Sequence, residues 1–211
     1  MKIAVDYHSE KLVFCTMFTG IIEATGTITE VLETGSNRSF WIRSSISNEL
    51  KIDQSLAHDG VCLTVDALKE DEHRVTAVKE TLSKTNLSTW APSRLINLER
   101  SMLMNGRLDG HLVQGHVDTT GICEIVKEEA GSWLYTFSFP QEFANLLVEK
   151  GSASINGTSL TVFNVQQNSF SVAIIPYTYQ YTNIHQLQPG SPVNLEFDII
   201  GKYVLRNTQL Q

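Results

Sequence analysis

The amino-acid sequence predicts an all-β protein with short helices: two tandem six-stranded Greek-key β-barrels followed by a C-terminal helix. Three observations carry this expectation. The chain contains a long internal repeat, its apolar residues alternate in short runs, and tight-hairpin dipeptides recur at equivalent positions of the two copies.

Asp59-Gly60-Val61-Cys62-Leu63-Thr64-Val65 returns as Asn156-Gly157-Thr158-Ser159-Leu160-Thr161-Val162, an offset of 97 residues. The same offset carries Thr81 onto Thr178, Thr85-Asn86 onto Thr182-Asn183, and Asn97-Leu98-Glu99 onto Asn194-Leu195-Glu196. Upstream, Gly20-Ile21-Ile22-Glu23-Ala24-Thr25-Gly26 matches Gly115-His116-Val117-Asp118-Thr119-Thr120-Gly121 at an offset of 95, so a two-residue indel separates the registers. Chance does not keep one register across four motifs. The expected units are a first barrel over residues 17–104, a second over 105–198, and a C-terminal helix or tail over 199–211. Residues 1–16 have no counterpart in the second half and are expected to be a poorly ordered extension. Met17 would serve equally well as a start.

Within each half the local pattern is that of strands. Thr27-Ile28-Thr29-Glu30-Val31 and Ser39-Phe40-Trp41-Ile42 alternate as half-buried strands do. Asp59-Gly60 and Asn156-Gly157 suit hairpin turns whose two central residues both need φ > 0. Five to six strands in roughly 90 residues suit a small barrel, which closes its edges and fills its interior with side chains. One helix is expected in each half. In the second, Pro140 opens it, Phe143, Leu146 and Leu147 make its apolar stripe, and Gly151 ends it. In the tail, Ile199, Ile200, Tyr203 and Val204 would share one helical face. So short a helix is marginal in water, so the stripe either folds back on its own barrel or meets another subunit.

Composition limits the function classes. With 42% apolar and 18% charged residues the 211-residue chain is an ordinary globular protein, and its net charge of −7 argues against binding a nucleic-acid backbone. No apolar run reaches the ~18 residues of a spanning helix, so no membrane partner is expected. Cys15, Cys62 and Cys123 are odd in number and widely spaced, which points to a reducing cytoplasm rather than to a disulfide framework or a zinc site. His111 and His116, five apart, would face opposite ways on a strand, and no metal is expected.

Chemistry is sought where the halves agree and then diverge. On a strand Cys62 and Thr64 share one face, as do Ser159 and Thr161, so each half presents a small polar pair beside a hairpin. Such hydroxyls can simply satisfy backbone groups at a barrel end. The pair recurs, however, with cysteine exchanged for serine, as an asymmetric reaction between two similar sites would require. Ile21 becomes His116, Lys79-Glu80 becomes Pro176-Tyr177 and Ser101 becomes Asp198, and both a histidine and a carboxylate can move protons.

These residues resemble a family. Met17-Phe18-Thr19-Gly20-Ile21-Ile22-Glu23, Gly60-Val61-Cys62-Leu63-Thr64-Val65, Lys79-Glu80-Thr81-Leu82, Gly110-His111-Leu112-Val113-Gln114-Gly115-His116-Val117, Gly157-Thr158-Ser159-Leu160-Thr161-Val162 and Ile175-Pro176 are similar to motifs of the riboflavin synthases, in order, from residue 17 to about 205. The resemblance implies a homotrimer held by its C-terminal helices, with each active site between the first barrel of one subunit and the second of a neighbour. It implies dismutation of two molecules of 6,7-dimethyl-8-ribityllumazine to riboflavin and 5-amino-6-ribitylaminouracil by four-carbon transfer, with no cofactor. Association with lumazine synthase is a further expectation. By carry-over, Gly20, Ile21, Ile22, Cys62, Leu63, Thr64, Thr76, Ala77, Val78, Lys79, Glu80 and Thr81 would line a first pocket. Gly115, His116, Val117, Lys150, Ser159, Leu160, Thr161, Ile175, Pro176, Tyr177, Thr178, Tyr179 and Gln180 would line a second. Catalytic influence is assigned to Ser55, Cys62, His116, Ser159, Thr161 and Asp198. One stretch departs from the pattern: a His or Glu is expected at Tyr177 and charge near Gln180 and Tyr181, where this chain is aromatic and neutral. The rival reading is a non-catalytic, antenna-type lumazine- or riboflavin-binding protein on the same fold.

Overall fold

A computed structural model describes residues 17–210, and the expected extension over residues 1–16 lies outside the described residues. The first half runs β1 (Ala24–Thr34), β2 (Asn37–Ser44), β3 (Ser55–His58), β4 (Val61–Lys69), β5 (Glu72–Ala77), α1 (Lys79–Lys84) and β6 (Leu95–Arg100). The second repeats it as β7 (Thr119–Glu129), β8 (Ser132–Ser138), β9 (Ser152–Ile155), β10 (Thr158–Phe163), β11 (Ser169–Ile174), α2 (Pro176–Tyr181) and β12 (Pro192–Phe197), and α3 (Ile199–Gln209) closes the chain. Both sheets close into antiparallel barrels of the same strand order: β1-β2-β5-β4-β3-β6 and β7-β8-β11-β10-β9-β12. The twin six-stranded barrels and the C-terminal helix are those the repeat predicts. Among the described residues no helix is long and apolar enough to cross a membrane.

Alternation explains what each strand buries. Phe40 and Ile42 on β2, Leu63 and Val65 on β4, and Ile96 and Leu98 on β6 point inward, and Phe137, Val162, Phe170, Val172 and Leu195 do the same in the second barrel. The hairpin dipeptides adopt the expected left-handed pair of conformations, with φ of +46° and +78° at Asp59-Gly60 and +45° and +81° at Asn156-Gly157. These two tips meet at the barrel–barrel interface, where a Cβ on Gly60 would lie 2.7 Å from the Gly157 nitrogen.

Around the tips, buried amides join the halves. Asn97 Nδ2 donates to the Asn156 carbonyl (2.8 Å), and Asn194 Nδ2 donates to the Asp59 carbonyl (2.9 Å). Asn183 N donates to Asn97 Oδ1 and Asn86 N donates to Asn194 Oδ1, each at 2.7 Å. Asp59 is the member without an amide counterpart in kind, since the second half carries Asn156. Its Oδ1 accepts from Asn97 N and Asn183 Nδ2, while Oδ2 is buried without a hydrogen-bond partner, 3.9 Å from Arg94. Burial pushes its carboxyl up to about 7, against the opposing pull of Arg94 and the two hydrogen bonds.

The barrel interiors differ in one respect. In the first, His58 Nδ1–H donates to the Leu56 carbonyl, His73 Nε2–H donates to His58 Nε2 (2.9 Å), and Ser47 Oγ–H donates to His73 Nδ1 (2.9 Å). With both rings neutral every bond of this chain is satisfied, and burial lowers both pKa values, His73 to about 4. The repeat puts Ile155 and Phe170 at these places in the second barrel, which is apolar there.

Two expectations about helices change. The segment after Pro140 forms a 3₁₀ turn, Gln141–Leu146, with Pro140 capping it and Gly151 leading into β9. Leu147 is already extended and turned inward to the core, which ends the turn well before Gly151. The helices each half does contain are α1 and α2, on segments that the sequence reading takes only as pocket lining. The tail is helical as expected, but Ile200, Tyr203 and Val204 remain 59, 69 and 58% exposed. The stripe therefore does not fold back on its own barrel.

Candidate active site

Two short segments, residues 17–22 and 110–117, carry the site. They pair with each other where Phe18 N donates to the Val113 carbonyl (2.7 Å) and Val113 N returns the bond (3.1 Å). Phe18 is fully buried against Ala57 and Val113, worth roughly 2–3 kcal/mol. A buried carboxylate then fixes each segment. Glu99 accepts from Thr19 N, Thr19 Oγ1 and Gly20 N, and Glu196 accepts from Gln114 N and His116 N. Both carboxylates are buried, and desolvation raises their pKa values against these bonds.

From these anchors the segments cross. The Gly20 carbonyl accepts from Ser159 N of the second barrel (2.8 Å), and the Gly115 carbonyl accepts from Cys62 N of the first (2.9 Å). Both glycines have φ near +77°, at +76° and +78°, and a Cβ on either would lie 2.6 Å from the Cβ of the residue it faces. Each barrel thus receives its wall from the other half. This exchanges the expected grouping: Gly20, Ile21 and Ile22 go with Ser159, and Gly115, His116 and Val117 go with Cys62.

Two cavities result. The first, about 280 Å³, is bounded by Cys62, Glu80, Thr81, Gly115, His116 and Val117, together with Val61, Lys84 and Thr85. The second, about 240 Å³, is bounded by Gly20, Ile21, Ile22, Ser159, Ile175, Tyr177 and Thr178, together with Thr158, Tyr181 and Thr182. Both lie below the ~300–1,000 Å³ usual for an enclosed small-molecule site. Each is an open half-cleft.

The remaining expected residues lie around or away from these clefts. Leu63, Leu160 and Ala77 point into the barrels, so a ligand can meet only their backbone. Thr64 and Thr161 are exposed on the same strand faces as Cys62 and Ser159, with Ser55 opposite Thr64 across the β3–β4 ladder. Thr76 hydrogen-bonds Asp66 and Ser39, Tyr179 stacks on Trp133 at 3.7 Å, and the Lys150 ammonium lies 5.3 Å over the Phe163 ring. Val78, Lys79, Pro176 and Gln180 are exposed on or beside α1 and α2 without bounding either cavity. Asp198 caps α3 by accepting from Ile200 N and bounds a separate groove.

One residue was missed as a site candidate. His111 Nδ1 lies 2.7 Å from Ser159 Oγ, and its Nε2 is buried without a partner. Burial lowers its pKa, partly opposed by the charge of Asp198. A neutral imidazole on a hydroxyl is the arrangement that activates a weak nucleophile or relays its proton. The repeat could not reveal it, because its register begins after His111. Spacing alone considered this histidine only as a metal ligand.

Comparison with known proteins identifies the two domains and the family. The model of the lumazine binding domain matches twice, over residues 19–101 and 114–198. A riboflavin synthase of Actinobacillus pleuropneumoniae is 39% identical over 190 residues, covering 89% of this chain and 88% of that protein. One of Bacillus amyloliquefaciens is 37% identical over 191 residues, covering 90% and 89%. A crystal structure of LumP complexed with riboflavin superposes with a TM-score of 0.80 at 18% identity, covering 85% of this chain and 98% of that one, a likeness of fold. With two such domains in one chain and more than a third of its residues shared along nine-tenths of those enzymes, the chain belongs to the riboflavin synthase family.

Proposed function

We propose that the chain dismutates two molecules of 6,7-dimethyl-8-ribityllumazine to riboflavin and 5-amino-6-ribitylaminouracil. The observation that carries this reading is the pair of half-clefts, built alike but equipped differently: Cys62 and His116 bound one, and Ser159, contacted from outside the cavity lining by His111, bounds the other. Two copies of one substrate call for two similar cradles, and donor and acceptor roles call for a difference between them. The transfer moves four carbons from one ring to its twin, so the reaction balances without an outside oxidant. Holding the rings together removes a bimolecular entropy cost of up to ~7–11 kcal/mol.

Open half-clefts need a lid, and we infer that a neighbouring subunit supplies it. The exposed Ile200, Tyr203 and Val204 on α3 support a homotrimer assembled through these helices. In that assembly the first half-cleft of one subunit faces the second of another. Ser55, Cys62, His116, Ser159, Thr161 and Asp198 are the residues to which catalytic influence is assigned, with His111 added as the proton partner of Ser159. Units of 17–104 and 105–198, a cytoplasmic location and association with lumazine synthase remain part of the reading.

The test is direct. Purified protein is incubated with the lumazine, and riboflavin fluorescence is followed. Turnover supports the proposal; binding without turnover would assign the chain to the antenna type.

A further inference from the structure

The two half-clefts differ most at their rims. On α1, Glu80 and Lys84 face the first cavity. On α2 the equivalent positions are Tyr177 and Tyr181, which face the second. Both pairs are four residues apart and so lie on one helical face. The tyrosine rings are 4.5 Å apart at 39° and 70 and 52% exposed, and together they form one aromatic surface. Ile21 and Ile175 continue that surface on the second cavity, where His116 adds polarity to the first.

The tyrosine pair is held in place. Tyr179, on the opposite face of α2, stacks flat against Trp133 of β8, with rings 3.7 Å apart at 6°. That contact fixes the helix against the barrel, so the rim needs little ordering when a ligand arrives.

We propose that Tyr177 and Tyr181 form an aromatic clamp, giving the second half-cleft a tighter hold on a flat heteroaromatic ring than the first. The proposal rests on the ligand class argued above and adds an order of filling: second before first. A ring laid over Tyr177 and Tyr181 gains stacking and apolar burial. The same ring laid over Glu80 and Lys84 must displace water from two charged groups. The charged rim suits a hydroxylated chain better than a ring face.

Riboflavin is the probe, because phenol side chains stacked on the excited isoalloxazine quench its fluorescence by electron transfer. Titration of the wild-type chain is expected to resolve two classes of site about tenfold apart in affinity, the tighter one more strongly quenched. Tyr177→Glu with Tyr181→Lys, which gives the second rim the residues of the first, is expected to merge the classes at the weaker affinity and relieve the quenching. Tyr177→Phe with Tyr181→Phe is expected to retain the gap, since stacking survives. Glu80→Tyr with Lys84→Tyr is expected to create a second tight class. A wild-type chain with equal sites, or a Glu/Lys variant that keeps its tight class, would overturn the clamp while leaving the ligand class standing. A wild-type chain that binds no riboflavin would overturn the ligand class and the clamp together. All four residues are exposed or at a cavity rim, and an unchanged thermal unfolding midpoint verifies that each variant is folded.

Discussion

Asp59→Asn is expected to stabilise the protein at neutral and alkaline pH. Asp59 is fully buried at the junction of the two barrels, with a pKa near 7 against an ordinary value of 3.8. A raised carboxyl pKa means that folding favours the neutral acid. The stability this contributes is complete below about pH 4 and is lost as pH rises through 7. A shift of about 3 units corresponds to ~4 kcal/mol. Asparagine keeps the acceptor used by Asn97 N and Asn183 Nδ2 and removes the charge, as Asn156 already does in the other hairpin. Arg94 loses its partner at 3.9 Å, which offsets part of the gain, so an increase of roughly 2–4 kcal/mol is expected at pH 8 and almost none at pH 4. Urea denaturation of both proteins across that range reads the difference, in which the other titrating groups cancel. A variant that is less stable by the same amount at both ends would refute the assignment of a buried, nearly neutral carboxyl.

Other perturbations test the remaining links. Ser159→Ala is expected to lower turnover at least tenfold, whereas Ser152→Ala, on the neighbouring strand and outside both cavities, is expected to change it little; steady-state assays compare them. The lowered pKa values of His58 and His73 give the opposite sign to Asp59: stability is present above about 6.5 and lost as pH falls toward 4. Replacing the pair by the second barrel's residues, His58→Ile with His73→Phe, is expected to move the acid unfolding midpoint to lower pH, followed by circular dichroism. Tyr203→Asp on α3 is expected to dissociate the assembly and abolish turnover while leaving the barrels folded, which light scattering and an activity assay check together.

Much of the architecture is legible from periodicity because a closed barrel imposes it. Inward residues must alternate, and Asp59-Gly60 and Asn156-Gly157 leave the backbone few alternatives at the hairpin tips. The apolar stripe after Pro140 suggests a helix running to Gly151 because Phe143 and Leu146 satisfy it in either form, and Leu147, which ends the turn by extending into the core, fits the same stripe. The crossing of residues 17–22 and 110–117 was hidden for a different reason. In a duplicated chain Gly20 can face Cys62 or Ser159 with equal local chemistry, and only the three-dimensional placement of Glu99 and Glu196 decides between them. The pattern does not single out His111 as a site residue, because its contact with Ser159 depends on that same crossing.

The exchange of walls bears on how such a chain could arise. A single half, made alone, would close its six strands but leave its cleft unfinished, because the arm it carries is shaped to complete someone else's. Two such copies would have to embrace, each extending an arm to its twin, before either could bind anything. Fusion of the two coding units turns that embrace into an internal one, after which the two clefts are free to drift apart in character without ever losing each other.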